Sequence, residues 1–234
     1  MTYRKHFLLT LLLGMGLSAS AQVGELRNDF AIGVNGGVVM DKISFDPTIK
    51  QVFKPGPSCG ITARYTCEKY FNLVCAIQAE INYAQMGWKE LIETSTDTYE
   101  RHINYLQVPL LARLGIGKEK RGVMGYLILG PQLGFCLGDK EKRGGEWSET
   151  NLHLRPNYVI QQYDLPIQRK FDYGITGGLG LEVSTAIGHF MLEGRYYFGL
   201  SDIFNNGKAD KFGRSAHGAI VAKVTYLVDV GRKK

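Results

Sequence analysis

The chain has 234 residues, a formal net charge of +6, and a composition with 29 glycines, 13 tyrosines and 7 prolines. This length suits one all-β domain, and the balance of Gly and Tyr over Pro favours strands and turns over helices. Most of the excess positive charge that remains after the first residues lies in short runs such as Lys118 to Arg121 and Arg232 to Lys234, which are typical of solvated loops or ends. The charge pattern therefore predicts no nucleic-acid partner.

Residues 1–21 have the three parts of a secretory signal peptide in the usual order. Arg4 and Lys5 give a basic start, and the apolar stretch that follows is too short to span a bilayer as a helix. Ala19-Ser20-Ala21 then forms a small-residue cleavage site. The alternative is a buried N-terminal helix. We expect an exported protein with one domain covering residues 22–234.

Period-two alternation of apolar and polar residues, the pattern of β-strands, is clearest over residues 171–183. There an apolar face opposes a face of Gly, Thr, Asp172 and Glu182. Pro109 and Pro131 remove hydrogen-bond donors, so we expect a bulge or irregularity at each. Seven other segments show the alternation more or less cleanly: 29–39, 58–67, 71–83, 100–115, 124–137, 190–200 and 220–230.

The links between these eight segments alternate in length. The short links are residues 68–70, 116–123 and 184–189, and the long polar links are residues 40–57, 89–99, 138–169 and 201–215. Outer-membrane barrels have short turns in the periplasm and long loops outside. The sequence therefore predicts an all-β fold, an eight-stranded antiparallel up-and-down transmembrane β-barrel.

The alternative is a soluble barrel, which would turn its apolar residues inward. Two features favour the membrane: aromatic residues near both ends of the apolar face, typical of membrane interfaces, and a polar face that suits a narrow lumen. We therefore expect contact with outer-membrane lipid. The predicted lipid-interface aromatics are Phe71 and Phe190 near the short links, and Tyr83, Phe171, Tyr173 and Phe198 towards the long ones.

Six charged residues of the polar face are predicted to meet inside the barrel. Charges there are costly unless they are paired, so we interpret them as a structural ion-pair network that closes the lumen. The alternative is a gated polar path or a ligand pocket, although eight strands leave little room beyond side chains. Counted from the short links, the group consists of Arg64, Arg113, Glu182, Glu193 and Arg195 at similar depth, with Glu80 slightly farther in.

Motifs for catalysis are absent or weak. The sequence has no Gly-x-Ser-x-Gly elbow, and Gly115-Ile-Gly117-Lys118 lacks the spacing of a phosphate loop. Cys59, Cys67, Cys75 and Cys136 lack metal-type spacing and are interpreted as small apolar side chains rather than disulfides. We expect no cofactor, metal or catalytic residue. A lipid-modifying enzyme is the alternative, and its parts would come from His102, His153, His217, Ser148, Asp164 and Asp202.

Residues 138–169 form the longest link and the best candidate for a binding surface. The charged run from Asp139 to Arg143 precedes three aromatic residues, Trp147, Tyr158 and Tyr163. These residues are suited to contact an envelope protein or lipopolysaccharide. The alternative is a surface loop without a partner.

Three segments resemble the PorT-like outer-membrane β-barrel family of Gram-negative bacteria. They are Ile103-Asn-Tyr-Leu-Gln-Val-Pro-Leu-Leu-Ala-Arg113, Gly125-Tyr-Leu-Ile-Leu-Gly-Pro-Gln-Leu-Gly134 and Phe171-Asp-Tyr-Gly-Ile-Thr-Gly-Gly-Leu-Gly-Leu-Glu182. The resemblance implies an outer-membrane barrel of about eight strands, related to the OmpA membrane domain. It implies no single activity, and the role of the family's namesake in secretion does not transfer by fold alone. We expect a monomeric, non-enzymatic barrel with a structural or partner-binding role; the alternatives are a lipid-modifying enzyme and a narrow channel.

Overall fold

The computed structural model describes residues 24–119, 121–155 and 158–232, so the predicted signal peptide lies outside the described residues. A short 3₁₀ helix covers Glu149–Leu154. No helix among these residues is long and apolar enough to cross a membrane. The strands are β1 (Glu25–Asp46), β2 (Gln51–Val52), β3 (Lys54–Tyr70), β4 (Leu73–Glu90), β5 (Thr98–Gly117), β6 (Gly122–Gly144), β7 (Phe171–Ser184), β8 (His189–Gly199) and β9 (Arg214–Arg232).

Eight long strands close into a barrel in which each strand is antiparallel to its neighbours. The first and last are paired along most of their length, with Val39 opposite Val221. The two-residue strand β2 stands outside this cycle and pairs only with the end of β4, where Gln51 lies opposite Glu90. The predicted eight-stranded up-and-down barrel is confirmed.

The strands reach farther into the long links than predicted. Residues 40–46 continue β1, and residues 138–144 continue β6. In β1, Ile43 and Phe45 of this extension point inward and Lys42 points outward. Apart from the buried Asp41, the extension is thus apolar inside and polar outside, the reverse of the polarity that marked the rest of the strand. The long links that remain are residues 47–53, 91–97, 145–170 and 200–213.

The hairpin between β3 and β4 turns later than predicted. The turn lies at residues 71–72 rather than 68–70, and Phe71 adopts a positive φ of 53°. A register shift after Thr66 then places Cys75 opposite Glu68. The turn at residues 68–70 would have placed Cys75 near Ala63, so the expected position of this turn is wrong. All four cysteines are free thiols.

Pro109 and Pro131 lie at one interruption of the hydrogen-bond ladder between β5 and β6. Pairing between β5 and β6 stops after Pro109 opposite Gln132 and resumes at Ala112 opposite Leu129, in the same register. Pro131 lies inside this gap, yet β6 pairs regularly with β7 there. The irregularity expected at the prolines is present, but it is a gap in hydrogen bonding and not a bulge.

The interior of the barrel changes character along its axis. Near the short turns the inward side chains are mainly polar or charged. Towards the long loops the inward side chains build an apolar core that loop residues complete. Its largest members are Phe45, Trp88, Tyr99, Tyr105, Tyr197, Phe204 and Phe212.

Candidate functional site

The first charged cluster surrounds Glu182 of β7 near the short-turn end. Arg64 Nη1 donates to Glu182 Oε1 at 2.7 Å, and Arg113 donates to Oε2 of the same carboxylate. The Nδ1 atom of His189 lies 2.7 Å from Oε1. Inward alternation on β3, β5, β7 and β8 brings these four side chains to one point. The carboxylate therefore lies between two guanidinium groups and the His189 ring.

The second cluster lies beside the first and contains two acids and two bases. Arg195 Nη2 lies 2.6 Å from Glu80 Oε1 and 2.5 Å from Glu193 Oε2. Lys223 Nζ lies 2.5 Å from Glu80 Oε2. All four side chains are almost completely buried. The six residues proposed from the sequence thus lie in two groups, and the second has equal numbers of acidic and basic side chains.

Several partners in these clusters were not among the residues proposed from the sequence. Lys223 lies on the polar face of β9, opposite the apolar face that contains Val224. The period-two pattern could therefore have placed Lys223 inside the barrel. Tyr126 gave no such signal, because aromatic residues occur on both faces of a barrel wall. Its hydroxyl donates to Glu193 at 2.8 Å, and the guanidinium of Arg113 lies 3.6 Å from its ring centre.

Little open space remains in the first cluster. A cavity of about 40 Å³ lies among Arg64, Arg113, Glu182 and His189. This volume holds only a few water molecules. The side chains of this half therefore fill most of the space that the barrel encloses at this level.

The loop of residues 145–170 enters the mouth of the barrel at the other end. Its Val159 and Ile167 are buried in the apolar core. The ring centre of Tyr163 lies 4.8 Å from that of Tyr99 on β5 and 5.1 Å from that of Trp147. The longest loop is therefore packed into the apolar core and against β5.

The loop of residues 200–213 also packs into the mouth. Phe204 and Phe212 are stacked with their ring centres 5.4 Å apart. Phe45 of β1 lies 5.2 Å from Phe212 and 5.2 Å from Trp88. The apolar core thus joins two loops to strands on both sides of the barrel.

Buried polar contacts fix the first of these loops in place. Arg155 Nη2 lies 2.8 Å from Asp97 Oδ2, and both side chains are buried. Glu90 on β4 accepts hydrogen bonds from the Tyr163 hydroxyl at 2.7 Å and from Gln162 Nε2 at 3.0 Å. Burial raises the pKa of the Glu90 carboxyl above its ordinary value, against the effect of these donors. The contacts tie the loop to β4 and to residues 91–97.

The six aromatics proposed for the lipid interface all face away from the barrel interior. Phe71 is 91% exposed in its turn, and the other five are between 39% and 47% exposed. Outward leucines and isoleucines fill the wall between the two sets. Beyond the aromatics nearest the long loops, outward side chains such as Lys140 and Lys142 are charged. The exposed wall is thus an apolar band with aromatic residues near both edges.

Two of the polar residues considered for an enzyme have other partners. His217 is buried, with Nδ1 2.7 Å from Asp41 Oδ2 and Nε2 3.1 Å from the Tyr105 hydroxyl. Asp164 pairs with Arg143 on the surface. In the part of the chain that the structure describes, no group of three or more His, Cys, Asp or Glu residues is arranged to hold a metal ion.

The closed antiparallel cycle, apolar outer wall and polar half-lumen define a transmembrane β-barrel. The family model described as "Outer membrane protein beta-barrel domain" matches residues 20–205. The chain belongs to this family and is an outer-membrane protein. The short turns consequently lie at the periplasmic side and the long loops outside the cell.

Solved outer-membrane proteins are similar to this chain at low identity. Ail, the attachment invasion locus protein of Yersinia pestis, is 11% identical, with 86% of this chain and 99% of that one covered and a TM-score of 0.40. OprG from Pseudomonas aeruginosa is 14% identical, with 87% and 95% covered and a TM-score of 0.42. The N-terminal β-barrel domain of Pseudomonas aeruginosa OprF is 12% identical, with 88% and 100% covered and a TM-score of 0.39. No curated protein matches the chain.

Proposed function

We propose that this chain is a monomeric, non-enzymatic barrel of the PorT-like type that holds a partner-binding surface above the outer membrane. The observation that carries the proposal is the packing of residues 145–170 into the mouth of the barrel. A loop fixed in this way presents its outer side chains in one arrangement, which lowers the entropy lost on binding. The three segments that resemble the PorT-like family lie in β5, β6 and β7.

The tip of the loop of residues 145–170 carries apolar side chains that are exposed to solvent. Tyr158 is 80% exposed, Leu154 is 41% exposed and Ile160 is 38% exposed. The Thr94 hydroxyl donates to the Leu154 carbonyl oxygen at 2.6 Å, which joins this tip to the neighbouring loop. A fixed group of exposed apolar residues outside the membrane is typical of a protein-binding surface. We name Leu154, Tyr158 and Ile160 the loop-tip patch, and its partner is an envelope or extracellular protein.

A photo-crosslinking amino acid at Tyr158 tests the partner-binding role in living cells. We expect a discrete adduct of higher mass that is lost when Ile160 is changed to Ser. A crosslinker at Lys208, which is exposed on the other long loop, is the control and should give no such adduct. Failure to crosslink from Tyr158 under conditions where the barrel is folded and at the surface would contradict the proposal.

In the same proposal the two charged clusters are a structural plug. The support is the near-complete burial of Glu80, Glu182, Glu193 and Arg195 and the small cavity beside them. Reconstituted protein should give no discrete conductance steps in planar bilayers, and steps would favour the narrow channel instead. Deletion of the gene should leave lipid A and phospholipids unchanged by mass spectrometry. A changed lipid would favour the lipid-modifying enzyme.

A further inference from the structure

An apolar groove of about 720 Å³ runs along the outer wall of the barrel in its periplasmic half. Its floor includes two outward-facing glycines, Gly125 on β6 and Gly194 on β8. Outward side chains of β5 to β8 form its sides: Leu114, Ile116, Leu127, Leu179, Leu181 and Leu192.

The strand register explains why the wall is recessed here. Gly125 lies opposite Leu181, and Gly194 lies opposite Leu179, so each glycine leaves a gap beside a leucine. A Cβ atom built at Gly194 would meet nothing within 4 Å, and at Gly125 the nearest atom would be Leu181 Cδ2 at 3.9 Å. The groove is therefore open space in the wall, and neighbouring side chains do not fill it.

The periplasmic end of the groove leads to the turn between β5 and β6. Lys118 and Arg121 are exposed in this turn, and neither forms an ion pair with another residue that the structure describes. Glu119, which stands between them, is paired with Arg27 at 2.9 Å. Two basic side chains are thus left at the level where lipid headgroups of the periplasmic leaflet lie.

We propose that this groove binds an acyl chain of an anionic phospholipid from the periplasmic leaflet, with its headgroup at Lys118 and Arg121. The narrow groove between leucine side chains matches a flexible hydrocarbon chain. A second copy of the protein would need a broad complementary face, since stable interfaces bury well over 1,000 Å². The unpaired basic residues favour a phosphate with net negative charge over a zwitterionic headgroup.

Native mass spectrometry in detergent tests the site with dioleoyl-phosphatidylglycerol and dioleoyl-phosphatidylcholine as probes. We expect one retained phosphatidylglycerol on the wild-type barrel and at least tenfold lower occupancy for Gly194→Leu, whose side chain fills the groove. Gly36→Leu is the matched control. It adds the same side chain to the outer wall of β1, where the nearest atom to a Cβ is Ser58 O at 4.0 Å.

A second set of variants tests the role of the two basic residues in binding the lipid headgroup. Replacement of Lys118 and Arg121 by Ala should weaken phosphatidylglycerol binding about fivefold for each charge removed and leave phosphatidylcholine unchanged. Replacement of Lys208 and Lys211, which are exposed on an outer loop, should change neither. Heat-modifiable gel migration checks that every variant is folded, and Gly125→Leu replaces Gly194→Leu if the latter does not fold.

Three results would overturn the proposal. The first is equal phosphatidylglycerol occupancy in wild type and in a folded groove-filling variant. The second is equal binding of the two lipids that does not change when Lys118 and Arg121 are replaced by Ala. The third is a dimer that Gly194→Leu dissociates without any lipid, which would make the groove an interface between copies.

Discussion

Arg155 and Asp97 form a buried ion pair inside the mouth of the barrel, with Arg155 Nη2 2.8 Å from Asp97 Oδ2. Arg155 belongs to the loop of residues 145–170, and Asp97 immediately precedes β5. Arg155 also lies over the Trp147 ring, 4.8 Å from its centre. One side chain thus joins the loop, the barrel strands and the aromatic core.

Arg155→Ala should release this loop from the barrel mouth. The change strands the Asp97 carboxylate in a buried position, which costs about 3–5 kcal/mol. Chymotrypsin should then cleave after Tyr158 or Tyr163 much faster in the folded barrel. Arg143→Ala is the control, since Arg143 pairs with the largely exposed Asp164 and such pairs are worth about 0–1 kcal/mol. A second change, Asp97→Ala, should restore part of the protection; without that rescue the pair is not what holds the loop.

Arg113→Ala should lower the stability of the periplasmic half. Glu182 keeps Arg64 as a partner, so the loss should be near that of a charged hydrogen bond, about 1.5–3 kcal/mol. Glu182→Ala leaves two buried guanidiniums and should cost more, about 3–5 kcal/mol. The temperature at which the folded band disappears from a gel measures both effects. Arg121→Ala, at an exposed turn, should migrate like wild type, and equal heat resistance of all variants would contradict a stabilising cluster.

Docking of the loop of residues 145–170 in the barrel mouth should weaken as the pH rises. Burial raises the pKa of Glu90 in the folded state, so docking favours the protonated carboxyl. This contribution is complete below the ordinary pKa of a glutamate and is lost as the pH rises through the raised value. Chymotrypsin cleavage in the loop should therefore be faster at about pH 8 than at about pH 5, after correction for protease activity.

Glu90→Gln should abolish that pH dependence, because an amide stays neutral throughout. Glu100→Gln is the matched control. The Lys89 ammonium lowers the pKa of the Glu100 carboxyl, so this residue remains charged across the same range. Cleavage rates that vary equally with pH in Glu90→Gln and wild type would assign the effect to another group.

Phe204→Ala should destabilise the outer half of the barrel by about 3–5 kcal/mol, the usual cost of a large cavity. Phe204 is 1% exposed and contacts Phe45, Trp88 and Phe212. Urea unfolding followed by tryptophan fluorescence measures the loss. Phe71→Ala removes the same ring from a 91% exposed turn and should shift the unfolding midpoint little. If both variants unfold alike, the core does not stabilise the mouth.

Gly180→Ala should distort the wall at β7. A Cβ there would lie 2.2 Å from Cζ of Tyr126, whose ring occupies the space beside the backbone. Movement of that ring would break the hydrogen bond from Tyr126 to Glu193. Gly194→Ala introduces the same methyl group into open space and should be neutral. Thermal unfolding of the two variants compares them directly, and a neutral Gly180→Ala would mean that the ring moves without cost.

The strand pattern was predictable only where lipid lies outside the barrel. There, period-two alternation and the short turns locate the eight strands, because apolar side chains must face the hydrocarbon. Residues 40–46 and 138–144 extend into water, and side chains such as Lys42 face outward. In the first segment Ile43 and Phe45 face inward, and in the second Asp139 and Glu141 face inward to pair with Arg101. Neither segment continues the apolar outer face, so both were interpreted as loops.

The inward charges were predictable by position but not by grouping. Counting alternate residues from the short turns places Arg64 and Glu182 on the inner face. Their depth also depends on strand tilt and stagger, which the sequence does not give. The late turn at residues 71–72 and the register shift after Thr66 change that stagger. The packing of the loop of residues 145–170 was harder still to predict, because Arg155 and Asp97 are 58 positions apart in two separate links.

The change in polarity along the interior also sets an order for membrane insertion. The charged residues of each cluster must pair with one another as the wall closes, since an uncompensated charge in the hydrocarbon is costly. The aromatic core needs the strand extensions and both loops on the far side of the membrane before Trp88 and Phe204 can meet. We therefore expect closure of the mouth to be the final step of assembly. A barrel arrested before that step would be inserted and paired, with an open apolar vestibule facing the outside of the cell.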